Sequence, residues 1–224
     1  MTFARMLKAS STTLTKIYNH SYNQQLQNQT LSRELFKVYL EQDAIYLKEL
    51  ANTLKIIAPR LIDTNHREFI TKLSDETIHY ENIMLSTYLG RPTTFYAPVA
   101  TKTQVITDYT NHLLNTANNQ PVEVALASLL PCFWIYSELG RQMYKTGISE
   151  QHPYRLWILS YADPEFFKTA ETLMTMTETL AASSPQAEAM IAAFIKSANF
   201  ELAFYEQTCP HQEPELQNTL TLTI

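Results

Sequence analysis

Apolar residues recur at three- and four-residue intervals along most of this chain, which is the period of a helix and not of a strand. The segment from about Phe3 to Tyr22 has this spacing, interrupted by serines and threonines at 10–13. A long second helix is predicted from Ser32, a residue type favoured at helix N-caps, to Pro59. Further helices are predicted at about 63–89, 101–116, 121–144, 152–161, 163–182 and 185–209.

The scarcity of glycine supports a purely helical fold. Only three glycines occur in 224 residues, and the long intervals between helix breakers suit helices far better than a sheet with many turns. A hydrophobic content of 45% over this length is enough for one sizeable core. We therefore expect an all-α, single-domain helical bundle over residues 1–209, followed by a tail at 210–224 to which no role is assigned.

Composition argues against several classes of partner. The formal net charge is −5 and no basic cluster occurs, so we expect no nucleic-acid binding. No uninterrupted apolar run approaches the roughly 18 residues that span a bilayer, so we expect no membrane association. The two cysteines are far apart and no apolar leader segment precedes them, which favours a cytoplasmic protein.

The stretch 129–136 places a cysteine directly after a proline inside an apolar helix. In an unprepared helix, Pro131 costs about 3 kcal/mol because it removes a backbone hydrogen bond and crowds the preceding turn. Cys132 and Tyr136 are four residues apart and share one helical face, so the phenol is expected within reach of the thiol. This arrangement can present a buried nucleophile, whereas the alternative is that Cys132 is a small hydrophobic core residue.

Two carboxylates stand on apolar, aromatic helix faces. Asp43 shares a face with Tyr39 and Tyr46 and requires a partner if it is buried. Glu201 lies on the last helix, with Phe204 on the same side. Both are candidate functional groups, although tyrosine hydroxyls alone can satisfy two ordinary structural carboxylates.

The sequence also contains one candidate metal-binding motif. Glu76 and His79 form a Glu-x-x-His pair, the spacing that helical di-iron bundles use, but such bundles need a second copy and no other occurs. We therefore predict a structural or surface role for this pair, with no metal and no cofactor.

Four short motifs follow one another along the helical pattern. They are Tyr39-Leu40-x-Gln42-Asp43-x-x-Tyr46-Leu47, Leu129-Leu130-Pro131-Cys132-x-Trp134-x-Tyr136-x-Glu138-x-Gly140, His152-Pro153-Tyr154-x-x-Trp157-Ile158 with Tyr161, and Glu201 beside Phe204. In this order they resemble the TenA family of thiamin-salvage enzymes, also called thiaminase II or aminopyrimidine aminohydrolase, over roughly residues 1–209.

The resemblance implies a haem-oxygenase-like all-α bundle that binds no haem, usually a homotetramer. It implies hydrolysis of a group from the methylene carbon of a 4-amino-2-methylpyrimidine, with an aminopyrimidine or thiamin as the partner. Carried over by position, Cys132 is the catalytic nucleophile, Glu201 the catalytic acid/base and Asp43 the carboxylate that anchors the pyrimidine. The remaining substrate-binding residues implied are Tyr46, Tyr109, Tyr136, Tyr161 and Phe204.

One departure from the family pattern concerns the last motif. The family often has a tryptophan after the phenylalanine, whereas this chain has Phe204 followed by Tyr205. The preferred leaving group is therefore left open. Two other functions also stay open, namely a non-catalytic pyrimidine- or thiamin-binding regulatory protein and a metal-dependent oxidase on the same scaffold.

Overall fold

The computed structural model describes residues 1–90 and 101–209, and every regular element in those ranges is helical. The all-α prediction is therefore confirmed, while the tail at 210–224 lies outside the described residues. A single turn of 3-10 helix at Ala58–Arg60 follows the fourth α-helix. The α-helices are α1 (Thr2–Ala9), α2 (Ser11–Tyr18), α3 (Ser21–Gln27), α4 (Arg33–Ile57), α5 (Thr64–Leu89), α6 (Gln104–Asn119), α7 (Val122–Lys145), α8 (Arg155–Ala162), α9 (Pro164–Ala182) and α10 (Ala187–Thr208).

The ends of the long helices follow from local chemistry. The Ser32 hydroxyl accepts a hydrogen bond from the backbone N–H of Leu35 at 3.2 Å, which caps α4 as predicted. The Asp63 carboxylate caps α5 in the same way, accepting from the N–H of His66 at 2.9 Å. Gly90 ends α5 with φ 62°, a left-handed conformation that glycine adopts without steric cost.

The predicted interruption of the first helix at 10–13 is confirmed by a break at Ser10, but a second break at Asn19 and His20 was not predicted. Three short helices occupy this region, and the chain leaves helical geometry at Ser10 and again at Asn19 and His20. The His20 side chain accepts a hydrogen bond from the N–H of Tyr22 and so begins α3. Apolar spacing continues across these breaks because all three helices turn their apolar residues toward the same core.

Helix α7 is the centre of the bundle and packs against α8, α9 and α10. It continues without interruption through Pro131, and the residues from Val124 to Phe133 are all buried. Among the described residues, α7 is the one helix long and apolar enough to cross a membrane, but 78% of its apolar window is buried inside the bundle. That degree of burial is typical of a core helix.

Candidate active site

Asp43 is a buried carboxyl group that has no hydrogen-bond partner among the described residues. Asp43 is 5% exposed. Its pKa is influenced by burial and by the charges of Glu201 and Glu81, and by no hydrogen bond from a described residue. All three raise the pKa well above the usual value of an aspartate. Buried polar groups are normally satisfied, so this carboxyl group is a candidate for binding a ligand.

Glu201 lies on α10 and is held by a phenol from α6. The Tyr109 hydroxyl donates to Glu201 Oε1 at 2.7 Å, and the Tyr109 ring stacks on Phe200 with centroids 5.2 Å apart. Burial raises the pKa of Glu201 to about 7, although hydrogen bonds from Tyr109 and Tyr136 act to lower it. A carboxyl group with this pKa is present in both protonation states near neutral pH, as a general acid/base requires.

Cys132 lies on α7 with its thiol buried. Burial, followed by the negative charge of Glu201, raises the pKa of the thiol well above its ordinary value, and Asp43 acts in the same direction. The Tyr46 phenol acts the other way and lowers it. The thiol is therefore protonated in the free protein, and a thiolate has to be generated when the substrate binds.

The phenol beside this thiol is not the one expected from spacing along α7. Tyr136 accepts a hydrogen bond from the Tyr39 hydroxyl at 2.9 Å and also acts on Glu201. The phenol that interacts with Cys132 is Tyr46, which comes from α4 and whose own hydroxyl makes no well-formed hydrogen bond to a described residue. Four-residue spacing defines a shared face of α7, but the helix packed across that face supplies the contact.

The other predicted aromatic residues surround these groups. The Tyr46 and Tyr109 rings lie 4.8 Å apart, and the Tyr161 ring lies 4.9 Å from that of Tyr136. Phe204 is buried against Tyr39, with ring centroids 5.0 Å apart. All eight residues predicted for the site are buried in the bundle: Asp43, Tyr46, Tyr109, Cys132, Tyr136, Tyr161, Glu201 and Phe204.

Two residues of α5 adjoin the site but were not predicted. The Tyr80 ring lies 5.5 Å from that of Tyr161, and the charge of Glu81 acts on Asp43. Burial raises the pKa of Glu81 itself to about 7, with the charge of Lys48 acting to lower it. The helical period carries a signal for Tyr80, because it follows the buried Thr77 by three residues.

A cavity of about 280 Å³ reaches Cys132 from the side of α5, α8 and α9. Tyr80 and Tyr161 line it together with Cys132, whereas Asp43 and Glu201 are not among its lining residues.

The Glu-x-x-His pair lies on the outer side of α5. Both residues are exposed, and the Glu76 carboxylate pairs with Lys72 Nζ at 3.0 Å. Within 1–90 and 101–209, no group of three or more His, Cys, Asp or Glu side chains is arranged to hold a metal ion.

The sequence is similar to those of a known protein family. Residues 9–210 match the TENA/THI-4/PQQC family. The chain belongs to this family. Its TenA-type relatives include an aminopyrimidine aminohydrolase of Halalkalibacterium halodurans, 26% identical over 84% of this chain and 87% of that protein. The thiamine biosynthesis multifunctional protein ThiED of Corynebacterium efficiens is 27% identical over 89% of this chain, which spans only 27% of that longer protein.

Solved structures of TenA proteins have the same fold. A TenA homologue from P. horikoshii OT3 superposes with a TM-score of 0.80 at 26% identity, covering 93% of this chain and 98% of that one. A TenA homologue from Pyrococcus furiosus superposes with a TM-score of 0.83 at 16% identity, over 93% and 100% of the two chains. The prediction of a TenA-type, haem-oxygenase-like helical bundle is confirmed.

Proposed function

We propose that this protein hydrolyses 4-amino-5-aminomethyl-2-methylpyrimidine, and also thiamin, to 4-amino-5-hydroxymethyl-2-methylpyrimidine. The observation that carries the proposal is the buried carboxyl group of Asp43, which has no hydrogen-bond partner within the described part of the chain and which interacts electrostatically with Glu201 and Cys132. Relatives named aminopyrimidine aminohydrolase support the same chemistry.

In this proposal Asp43 binds the edge formed by the 4-amino group and the neighbouring ring nitrogen. The raised pKa of Asp43 keeps its proton on the carboxyl group until the substrate arrives. Transfer of that proton to the ring nitrogen produces a carboxylate paired with an amidinium-like edge through two charge-assisted hydrogen bonds. The protonated ring is also a better electrophile, so binding and activation are coupled.

Cys132 then acts by covalent catalysis, which divides one difficult displacement into two easier steps. The ionised form of Glu201 takes the thiol proton, and the sulfur forms a bond to the ring carbon beside the methylene-bearing carbon. The electrons displaced into the ring expel the leaving group from the methylene carbon, and the leaving group departs with the bonding pair. Departing ammonia takes its proton from Glu201, whereas the thiazole of thiamin takes none, so in that case Glu201 releases the thiol proton to solvent before it acts on water.

Hydrolysis is completed by addition of water to the exposed methylene carbon. Glu201 accepts a proton from the water as the new carbon–oxygen bond forms. The carbon–sulfur bond then breaks, and the thiolate leaves as the ring regains aromaticity. Glu201 returns a proton to the thiolate. The net reaction consumes one water and releases the hydroxymethyl pyrimidine together with ammonia, or together with the thiazole and one proton.

The test is incubation of metal-stripped protein with the aminomethyl pyrimidine and, separately, with thiamin. We expect the hydroxymethyl pyrimidine to accumulate catalytically from both, as measured by liquid chromatography. Tight binding of the product without any turnover would instead indicate a non-catalytic binding protein. Turnover that requires added iron or manganese would indicate the oxidase alternative.

A further inference from the structure

The Tyr136 hydroxyl is shared between Glu201 and two further phenols. It accepts a hydrogen bond from the Tyr39 hydroxyl at 2.9 Å and forms a hydrogen bond with the Glu201 carboxyl group. The Tyr136 ring also stacks on that of Tyr205, with centroids 6.2 Å apart, and the two hydroxyls lie within hydrogen-bonding reach. Tyr39 and Tyr205 are fully buried, so neither hydroxyl can replace these neighbours with bulk water.

A hydroxyl group has a single proton to donate, and this limits how Tyr136 can serve Glu201. When Glu201 is ionised, its carboxylate accepts the Tyr136 proton in a charge-assisted hydrogen bond. When Glu201 is protonated, it can donate to the Tyr136 oxygen instead. The Tyr136 proton then needs another acceptor, because a buried donor left without one is costly.

Tyr205 provides this second acceptor. Its hydroxyl is buried and makes no well-formed hydrogen bond to a described residue, so its oxygen is available to the Tyr136 proton. The Asn23 side chain interacts with the Tyr205 hydroxyl by hydrogen bonding and is itself fixed, since its Nδ2 donates to the carbonyl of Ile17 at 2.8 Å. Asn23 Oδ1 is also buried and has no partner among the described residues. The polar atoms for a second hydrogen-bonded arrangement behind Tyr136 are therefore present.

We propose that Tyr39 and Tyr205 are positioning residues that act in opposite directions on Glu201 through Tyr136. Tyr39 favours donation to the ionised carboxylate, because a phenol that accepts a hydrogen bond becomes a stronger donor. Tyr205 favours the protonated acid, because it accepts the Tyr136 proton while Glu201 donates to Tyr136. The two arrangements differ only by rotation of hydroxyl groups. Their role in turnover rests on the proposed function, whereas their effect on Glu201 belongs to the free protein.

Other titratable groups face Glu201 from the helices packed on α10. They are Asp43 and Tyr46 on α4, Tyr109 on α6, and Cys132 and Tyr136 on α7. Helices α1 and α2 also pack on α10, but none of their described groups influences the pKa of Glu201. Because Asp43 has a raised pKa as well, Glu201 has to be observed directly.

The test is the titration of the Glu201 side-chain carboxyl in the free protein, followed by carbon-13 NMR and assigned by the resonance missing from Glu201→Gln. We expect Tyr39→Phe to raise the pKa of Glu201 by about half a pKa unit or more, and Tyr205→Phe to lower it by a similar amount, as for loss of one net hydrogen bond. Tyr22→Phe is the matched control. Tyr22 is equally buried and its ring lies 5.1 Å from that of Tyr39 and 5.5 Å from that of Tyr205, but it makes no hydrogen bond to Tyr136 or Glu201. Its removal should leave the titration unchanged.

Shifts in the same direction in Tyr39→Phe and Tyr205→Phe, or an unchanged titration in either of them, would overturn the inference. A shift of similar size in Tyr22→Phe would overturn it as well, because the effect would then come from packing of the aromatic rings. In turnover, the limb of kcat/KM that rises with ionisation of Glu201 should move to higher pH in Tyr39→Phe and to lower pH in Tyr205→Phe. A limb that does not move in either variant would contradict the positioning role. If neither the aminomethyl pyrimidine nor thiamin is hydrolysed, the proposed function fails, and the NMR titration still decides the effect on Glu201.

Discussion

Gly140 of α7 lies directly against the backbone of Tyr161 in α8. A Cβ atom at position 140 would be 2.4 Å from the carbonyl carbon of Tyr161 and 2.6 Å from the nitrogen of Ala162. Helix α8 can approach α7 this closely only because position 140 has no side chain. The close crossing brings the Tyr161 ring to 4.9 Å from that of Tyr136.

Gly140→Ala should therefore destabilise the protein. In an open helix the change would gain about 1 kcal/mol of helix propensity. Overpacking costs about 1–3 kcal/mol, and here the opposing atoms are backbone and cannot turn away, so we expect a net loss. Urea denaturation measures the loss, with Gln142→Ala at an exposed position of α7 as the control. A variant more stable than wild type would show that α8 can move aside freely.

Cys132→Ser should abolish turnover and leave the fold intact. Oxygen in place of sulfur roughly preserves volume but removes the thiolate that covalent catalysis requires. Cys209→Ser is the matched control, because Cys209 is also buried and already has polar neighbours, Ser21 Oγ at 3.6 Å and Gln25 Nε2 at 3.7 Å. Product formation and circular dichroism should separate the two variants. Wild-type rates in Cys132→Ser would exclude the covalent route.

Asp43→Asn should weaken binding of the hydroxymethyl pyrimidine product about tenfold or more. The amide keeps the shape of the side chain but cannot give a proton to the ring, so a neutral pair replaces a charge-assisted one at a cost of about 1.4 kcal/mol or more. Calorimetric titration of both proteins measures the difference. Equal affinities would mean that the carboxyl group binds in its neutral form or plays only a structural part.

Local chemistry explains which parts of this fold can be predicted from the sequence. The Ser32 cap and the end of α5 at Gly90 depend on one residue and its near neighbours, and the structure has the Ser32 cap as predicted and ends α5 after Leu89, the last residue of the predicted helix. The break at Ser10 falls in the serine and threonine run that interrupts the apolar spacing, but the break at Asn19 has no glycine or proline to mark it, so the spacing alone did not predict it.

In the candidate site as well, features that depend on one helix can be predicted from the sequence, whereas features that depend on contacts between helices cannot. Burial of Asp43 and Glu201 follows from their apolar helix faces and from the family resemblance. The pairing of Cys132 with Tyr46 depends on how α4 crosses α7, which spacing within one helix does not encode. The raised pKa of the thiol also depends on two carboxyl groups from other helices.

The stability of the folded protein should fall as the pH rises from about 4.5 to about 7. Burial raises the pKa of Glu201 from 4.5 to about 7, so the folded state holds this proton more tightly than the unfolded state does. The resulting contribution is fully present below pH 4.5 and is lost as the pH rises through the folded pKa. At about 1.4 kcal/mol per pKa unit the full effect is about 3 kcal/mol. Asp43 and Glu81 have raised pKa values and contribute with the same sign.

Urea denaturation at a series of pH values isolates the part due to Glu201. Glu201→Gln should show a flatter decline of unfolding free energy than wild type between pH 4.5 and 7. Glu206→Gln, at an exposed position on the same helix, should follow the wild-type curve. Parallel curves for wild type and Glu201→Gln would contradict a raised pKa at this position.

Glu201→Gln also separates an enzyme from a binding protein. Glutamine keeps the volume of the side chain and can still accept the hydrogen bond from Tyr109, but it cannot exchange a proton. We expect product affinity close to that of wild type and turnover at least about a hundredfold slower, the usual contribution of positioned proton transfer. Single-turnover kinetics and product titration on the same preparation give both numbers, with Glu206→Gln as the control. Parallel losses of affinity and turnover would make Glu201 a residue that shapes the pocket, whereas full activity would transfer the acid/base role to one of the surrounding tyrosines.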